Sequence, residues 1–261
     1  MIVPGLVDPH FHLLPGVDDG PRTLQDSIAL LRLAHAGGIR HVVATPHMFA
    51  TPWNNEDPAA IREAFRAFEE EIEEIGRRIA FLGDMRLSLG AENYVSPELF
   101  DRLASGEVIT LNDSDHLLIE FSGFMTFEHV LSAVERIKSA GLRPVLAHVE
   151  RYPVFQQNWR RLEALVETGC VLQVNASSVT GAGGRRARRF CDRLLKKALV
   201  HLVASDAHDE RSRGPILGSA FKTLAERFSR ENAVFLTKES AESILGSPRP
   251  VPMPANGSRR L

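Results

Sequence analysis

Cysteine is scarce in this sequence, apolar runs are short, and neither sign of charge predominates. Cys170 and Cys191 lack the spacing of a metal site, so we interpret both as reduced, structural residues. No apolar run approaches the length of a membrane span, and no basic segment followed by an apolar one begins the chain. We therefore predict a cytoplasmic protein without membrane insertion. The formal net charge of −2 gives no general preference for nucleic acid.

What is present is an alternation of short apolar, β-branched runs with longer amphipathic segments. This order predicts an α/β protein with a mostly parallel sheet. The predicted strands cover residues 1–7, 41–45, 87–89, 116–121, 144–147, 170–175 and 200–204. The predicted helices run from a capping box at Thr23 to Ala36, from Asp57 to about Arg78, and over 127–140, 159–167, 185–198, 218–228, 231–235 and 239–245. We expect one domain over residues 1–246, followed by a flexible, Pro-rich tail at 247–261.

Histidine and carboxylate side chains follow the predicted strands in short polar clusters. His10 and His12 are two residues apart, so an extended strand would point both rings to one face, and Asp206 and His208 repeat that spacing. Imidazole and carboxylate groups are ligands for divalent first-row metals. Residues so far apart can meet only where many strand ends converge, as they do in a β/α barrel. The sequence therefore predicts a multinuclear metal enzyme with these candidate ligands: His10, His12, Asp19, His47, Glu92, Glu120, His148, Asp206 and His208.

The charge of this set points to a phosphorylated substrate. Its four carboxylates and five neutral imidazoles sum to −4, so two divalent ions would neutralise the site and three would leave it near +2. An excess of positive charge suits a phosphate dianion. Arg151 and Arg213 follow two of the clusters, and we predict that they bind the phosphoryl group as a catalytic clamp. Asp18, beside Asp19, is interpreted as a turn residue.

The clusters and their order resemble the PHP metallophosphoesterase superfamily, and within it the bacterial protein-tyrosine-phosphatase branch of the CpsB/CapC type. The resemblance covers residues 8–213, which is most of the predicted domain. The matching stretches are His10-Phe11-His12, Gly16-Val17-Asp18-Asp19-Gly20-Pro21, Thr45-Pro46-His47, Gly90-Ala91-Glu92, Ile119-Glu120-Phe121-Ser122, His148-Val149-Glu150-Arg151-Tyr152 and Ser205-Asp206-Ala207-His208.

This resemblance implies a distorted TIM-like β/α barrel of the PHP type, with its metal site at the C-terminal ends of the strands. It implies three divalent ions, with manganese expected and iron or zinc as alternatives. It also implies hydrolysis of phosphotyrosine on proteins, the expected substrate being the tail of a bacterial tyrosine kinase that regulates capsular or extracellular polysaccharide synthesis. By motif, one ion takes His10, His12, Glu92 and Asp206, a second Glu92, Glu120 and His148, and the third Asp19, His47 and His208.

Other functions stay open at this point. The same site would serve a PHP phosphatase for a small metabolite such as histidinol phosphate, or a PHP-type nuclease. Only the basic stretch from Gly181 to Arg189 favours nucleic acid. We interpret it instead as a Gly-rich loop that opens a helix with a solvated basic face, and its functional alternative is docking of an acidic, tyrosine-rich kinase tail. Cysteine-based phosphatase chemistry would need an arginine six positions after the nucleophile, where Cys170 has Ala176 and Cys191 has Lys197. The sequence specifies neither an oligomeric state nor a role for Arg185–Arg189 or the Pro-rich tail.

Overall fold

Nine β-strands and twelve α-helices alternate in a computed structural model that describes residues 5–53 and 55–246. The predicted flexible tail at 247–261 lies outside the described residues. The strands are β1 (Leu6–Phe11), β2 (Ile39–Ala44), β3 (His47–Met48), β4 (Arg86–Leu89), β5 (Glu92–Tyr94), β6 (His116–Glu120), β7 (Arg143–Leu146), β8 (Val171–Asn175) and β9 (Leu202–Ala204). All strand pairs within the sheets are parallel, so the predicted α/β class with a parallel sheet is confirmed.

The helices lie in the connections between strands and follow them to the end of the described chain. They are α1 (Leu24–Ala36), α2 (Pro58–Gly76), α3 (Ala80–Gly83), α4 (Pro97–Ser105), α5 (Phe127–Ser139), α6 (Pro153–Gln157), α7 (Arg160–Glu167), α8 (Ala176–Thr180), α9 (Arg185–Lys196), α10 (Leu217–Arg227), α11 (Arg230–Val234) and α12 (Ser240–Gly246). A π-helical turn at Phe235–Glu239 joins the last two, and single 3-10 turns lie at Leu111–Asp113 and Val149–Arg151. None of the helices in the described ranges has the length and apolarity needed to cross a bilayer.

Local sequence chemistry explains where the main helices begin. Thr23 and Asp26 form the predicted capping box of α1, each side chain accepting a hydrogen bond from the other residue's backbone N–H. Asp57 caps α2, and Pro58 occupies its first turn, where the missing N–H has no partner to lose. The apolar residues of α2 recur at helical spacing and are buried, which attaches this helix to the sheet: Ile61, Phe65, Phe68 and Ile72.

The strands form a sheet that curls until its first and last members meet. β1, β2 and β4 are neighbours in one sheet, and the order in the other is β3-β5-β6-β7-β8-β9. Two-residue breaks separate β2 from β3 and β4 from β5, but the register is unchanged across them, with His41 opposite Arg86 and His47 opposite Glu92. The backbone N–H of Asp206 donates to the carbonyl of His10 at 3.0 Å, which links β1 to the segment after β9. The carboxyl ends of distant strands are therefore brought together.

Several predicted boundaries of strands and helices were wrong. The first strand was predicted over residues 1–7, but β1 runs from Leu6 to Phe11, so His10 lies inside the strand. The reason is tertiary, because backbone bonds to Thr45 and to Asp206 extend the ladder past the predicted end. The sequence interpretation also missed the two-residue strand β3, the strand β5 and the short helices α3, α4, α6 and α8. Hydrophobic periodicity cannot identify segments of two to five residues, which is the length of β3, β5, α3, α6 and α8. Helix α4 has nine residues, and its signals in the sequence are Ser96 and Pro97 at its start and Gly106 after its end.

Candidate metal centre

The nine predicted ligands lie at one edge of the curled sheet, each within or just after the carboxyl end of a strand or in the loop after β1. The ligand atoms of eight of them group into three clusters that share members. We call them the inner cluster (His10, His12, Glu92 and Asp206), the middle cluster (His47, Glu92 and Glu120) and the outer cluster (His12, Asp19, His47 and His208). Within each cluster the ligand atoms lie within 4.8 Å of one another. His148 lies beside the middle cluster.

The inner cluster is fully buried and joins residues nearly two hundred positions apart. The Nε2 atom of His10 lies 3.3 Å from Glu92 Oε2 and 3.4 Å from Asp206 Oδ1. The Nε2 atom of His12 lies 3.4 Å from the same Glu92 oxygen and 3.6 Å from the same Asp206 oxygen. Both imidazoles of the His-x-His pair therefore point to one place, as the spacing on an extended strand predicts.

The middle cluster places His47 differently from the expected ligand set. His47 Nδ1 lies 3.1 Å from Glu92 Oε2 and 3.2 Å from Glu120 Oε1. Its Nε2 atom faces Asp19 Oδ1 at 3.4 Å, so the ring spans two clusters. His148 Nε2 contacts Glu92 Oε1 at 2.8 Å and lies 3.8 Å from Glu120 Oε2. Glu92 thus connects the inner and middle clusters through both of its oxygens.

The outer cluster has the unsatisfied polar atoms that a cation site requires. His208 Nε2 lies 3.3 Å from Asp19 Oδ1, and the His208 ring stacks on that of His12 with centroids 3.7 Å apart. Within the described part of the chain, Asp19 Oδ1 and His208 Nε2 are buried without a hydrogen-bond partner, and so is His47 Nδ1, which faces the middle cluster. Leaving such atoms unpaired costs about 1–3 kcal/mol each. A donor set of imidazole and carboxylate that converges in this way fits divalent metal ions.

Residues behind the candidate ligands hold them in orientation, and the sequence interpretation missed this role. Asp18 accepts a hydrogen bond from His12 Nδ1 at 2.7 Å and others from the backbone N–H groups of Gly20 and His47. The predicted turn-forming role of Asp18 is therefore present, but its carboxylate also fixes the His12 tautomer so that Nε2 presents a lone pair to the cluster. The short loop between β1 and α1 thus supplies both a candidate ligand and its support.

Two polar residues on the buried strand β8 hold ligands of the inner cluster in orientation. Gln173 Oε1 accepts from His10 Nδ1 at 3.2 Å and from the backbone N–H of His148 at 2.9 Å. Asn175 Nδ2 donates to Asp206 Oδ2 at 2.7 Å. They alternate with apolar residues along a fully buried strand, which is the sequence signal that could have identified them.

Two of the candidate ligands adopt backbone conformations that are rare outside glycine. His148 has φ 33° and Asp206 has φ 55°, both in the left-handed region. A residue that is not glycine holds such a conformation only when its surroundings impose it, at a cost of order 1–3 kcal/mol. At both positions the chain turns sharply at a strand end, and this turn directs the side chain back over the sheet edge.

Neighbouring groups of opposite charge determine the direction of the pKa shifts in the clusters. Burial opposes protonation of His10, but the Glu92 and Asp206 carboxylates outweigh it and raise the pKa of His10 to about 9. The pKa of His47 likewise rises to about 11, against burial, because the carboxylates of Asp19, Glu120 and Glu92 lie beside its ring. Burial alone would raise the pKa of Glu92, yet the surrounding histidines hold it well below its usual value. Protons on the imidazoles would therefore balance the carboxylates wherever no other cation does.

This electrostatic arrangement predicts a pH dependence for the metal-free protein. The raised pKa values of His10 and His47 contribute stability that is complete below the unfolded histidine value of about 6.5 and is lost as the pH rises through 9 and then 11. Divalent ions compete with those protons, so they bind more tightly as the pH rises. The melting temperature gained on adding Mn²⁺ to chelator-treated protein should therefore grow by about 5 °C or more between pH 7 and pH 9. Differential scanning fluorimetry measures this gain, and a gain that stays constant or shrinks would contradict the prediction.

The two predicted phosphate-binding arginines lie beside the clusters with their guanidinium groups half exposed. Arg151 Nη1 lies 3.3 Å from Asp206 Oδ2, and Arg213 forms an ion pair with Asp19. Their side chains are 57% and 43% exposed, so both can still reach a solvent-borne ligand. Trp53 stacks on the His47 ring with an interplanar angle of 6° and adds an aromatic surface to the same area.

Both cysteines are buried, and neither belongs to these clusters. Burial raises the pKa of Cys170 to about 11 and that of Cys191 well above its usual value. A thiol in such surroundings stays protonated and is a poor nucleophile. The structure therefore agrees with the sequence interpretation that neither cysteine carries the chemistry.

The fold and the site together define an α/β protein with clusters of histidine and carboxylate side chains that could hold metal ions at one edge of a parallel sheet. The chain belongs to the CpsB/CapC family of capsular polysaccharide synthesis, whose model matches residues 6–246. The resemblance inferred from the sequence motifs is thereby confirmed.

Named relatives cover nearly the whole chain. The tyrosine-protein phosphatase CpsB of Streptococcus pneumoniae is 32% identical over 253 residues, spanning 92% of this chain and 98% of the relative. The tyrosine-protein phosphatase YwqE of Bacillus subtilis (strain 168) is 35% identical over 246 residues, spanning 92% and 91%. A crystal structure from work on YwqE and CpsB, described as unique metal-dependent tyrosine phosphatases, matches with a TM-score of 0.83 at 33% identity, over 92% of this chain and 94% of that one.

Proposed function

We propose that this protein is a metal-dependent protein-tyrosine phosphatase. The observation that carries the proposal is the convergence of nine histidine and carboxylate side chains at one sheet edge in a member of the CpsB/CapC family. The enzyme is a phosphoric monoester hydrolase, as are its relatives CpsB and YwqE. Its substrate in this proposal is phosphotyrosine on a bacterial tyrosine kinase that regulates capsular or extracellular polysaccharide synthesis. The predicted cytoplasmic location stays a prediction.

The architecture in this proposal is a distorted β/α barrel of the PHP type, formed by a single domain over residues 1–246. The link between β1 and the segment after β9 supports closure of the sheet, since Phe11 pairs with Ala207 in a parallel bridge. The metal site lies at the C-terminal ends of the strands, where the three clusters are found.

The proposed centre holds three divalent ions, with manganese as the expected metal. The inner cluster would hold one ion, the outer cluster a second, and the middle cluster with His148 a third, Glu92 being shared. This differs from the ligand set carried over by motif in that His12 and His47 each serve two clusters. Asp18, Gln173 and Asn175 support these ligands through the hydrogen bonds described above.

The bound ions and the protein side chains have different roles in phosphotyrosine hydrolysis. Bound divalent ions lower the pKa of water and offset negative charge on a phosphoryl group. Arg151 and Arg213 bind the phosphoryl oxygens and stabilise the charge that develops on them. The ring of Trp53 offers a face for the phenyl group of the substrate. A tyrosinate leaving group, with a pKa of about 10, departs without a strong general acid, so no residue of that kind is required.

Metal analysis combined with turnover tests this function. Protein purified without chelator should contain close to three divalent ions per chain and should hydrolyse a phosphotyrosine peptide. Chelation should abolish the hydrolysis and Mn²⁺ should restore it. Histidinol phosphate and single-stranded DNA serve as comparison substrates on the same sample. Metal-free protein with no gain on adding Mn²⁺, or faster turnover of either comparison substrate, would overturn the proposal.

A further inference from the structure

Helix α9 presents a strongly basic surface that the proposed catalytic centre does not use. Its exposed basic residues are Arg185, Arg186, Arg188, Arg189, Arg193 and Lys196. Asp192 is the acidic residue of this helix, and its carboxylate is already paired with Arg227 at 2.8 Å. Among the residues that the structure describes, none of these six basic side chains has an ion-pair partner. This surface therefore has no counter-charge among the described residues.

The first two turns of α9 lie at the same end of the sheet as the metal-type clusters. The chain leaves the carboxyl end of β8 at Asn175, passes through α8 and a glycine-rich loop, and enters α9. The helix then returns toward the start of β9, so its last turn lies at the opposite end. We call Arg185, Arg186, Arg188 and Arg189, on the first two turns, the arginine surface.

A buried carboxylate joins this region to the turn that carries Arg151. Glu150 Oε1 accepts from the Ser178 hydroxyl of α8 at 2.7 Å and from the backbone N–H of Asn175 at 3.0 Å. Glu150 is itself fully buried in the 3-10 turn before Arg151, and α9 packs against that turn. Helix α9 also contacts the loop before it, because a Cβ atom at Gly181 would lie 2.9 Å from the Arg188 side chain. The helix that carries the arginine surface therefore packs against the turn that contains Arg151.

We infer that the arginine surface binds acidic residues that flank the phosphotyrosine in the substrate polypeptide. This inference rests on the proposed function and specifies its substrate class. Arg151 and Arg213 would bind the phosphate, while the arginine surface binds neighbouring aspartate or glutamate side chains. Exposed charges of this kind act over about 10 Å at 0.1 M ionic strength, which steers an acidic polypeptide toward the centre.

The test compares two phosphotyrosine peptides on the metal-loaded full chain. One peptide has aspartate and glutamate on both sides of the phosphotyrosine, and the other has asparagine and glutamine at the same positions. We expect kcat/KM to be about tenfold higher for the acidic peptide at low salt, and the advantage to disappear near 0.5 M NaCl. Hydrolysis of p-nitrophenyl phosphate, measured in parallel, reports the metal centre alone. Failure on every substrate would reject the proposed function, whereas equal kcat/KM for the two peptides would reject only this inference.

A charge reversal locates the effect on the helix. The double variant R186E/R189E should reduce the acidic-to-neutral kcat/KM ratio about tenfold. The matched control, R193E/K196E, makes the same charge change in the same helix about 10 Å further from the centre and should leave the ratio unchanged. An equal loss in both variants would overturn the inference, because it would indicate net charge and not this surface. Tight binding to single-stranded RNA or to phosphatidylserine vesicles without any effect of peptide charge would also overturn it.

Discussion

The substitution Glu92→Gln is expected to lower kcat/KM for a phosphotyrosine peptide by roughly a thousandfold or more, and to reduce the bound metal by at least one ion per chain. The Glu92 carboxylate lies 2.8–3.4 Å from four histidines, namely His10, His12, His47 and His148. An amide of the same shape removes one negative charge and replaces one oxygen with an NH₂ group that cannot bind a cation. Since metal ions contribute several kcal/mol to stabilising a phosphoryl transition state, losing one removes about three orders of magnitude.

Metal content by plasma mass spectrometry and steady-state kinetics on the same preparation measure both effects. Glu135→Gln provides the matched control, because Glu135 lies exposed on α5 and away from the clusters. It should retain full activity and metal. If Glu92→Gln kept its metal and most of its activity, the shared role of this carboxylate would be wrong.

Removing the two arginines beside the clusters is expected to have the next largest effect. A hydrogen bond from arginine to a charged group contributes about 1.5–3 kcal/mol, so R151A or R213A alone should lower kcat/KM by about 10- to 100-fold. The double variant should approach a thousandfold loss while retaining its metal. Lysine at either position should restore little, because it lacks the planar fork that binds two phosphate oxygens at once.

Inhibition by inorganic phosphate supplies a second measurement, since weaker product binding should accompany the kinetic loss. Arg62→Ala serves as the control, because Arg62 is similarly exposed at 41% and pairs with a single carboxylate, that of Asp113. Full phosphate inhibition in the double variant would show that the arginines do not bind the phosphoryl group. A large drop in metal content would instead assign them to support of Asp19 and Asp206.

Local chemistry explains why much of the fold was predictable. The capping box at Thr23, the Asp57-Pro58 start of α2 and the apolar runs before the polar clusters all depend on neighbours within four residues, and the structure confirms them. The strand β1 illustrates the limit. Its extension to Phe11 depends on bonds to a strand that begins almost thirty residues later and to a segment nearly two hundred residues away. No local pattern contains that information.

The candidate metal centre also combines features that the sequence predicts with features that only the tertiary structure determines. The choice of histidines and carboxylates, their positions after strands and the family resemblance were all readable from the sequence, because strand ends and motif spacing are properties of the chain itself. The sequence did not show which of those residues contact one another. The orientation of His47 between Glu92 and Asp19, the support of His12 by Asp18 and of His10 by Gln173, and the packing of α9 against the turn that contains Arg151 depend on the curvature of the sheet. Curvature is set by packing across the whole domain, so only the tertiary structure decides which atoms face one another.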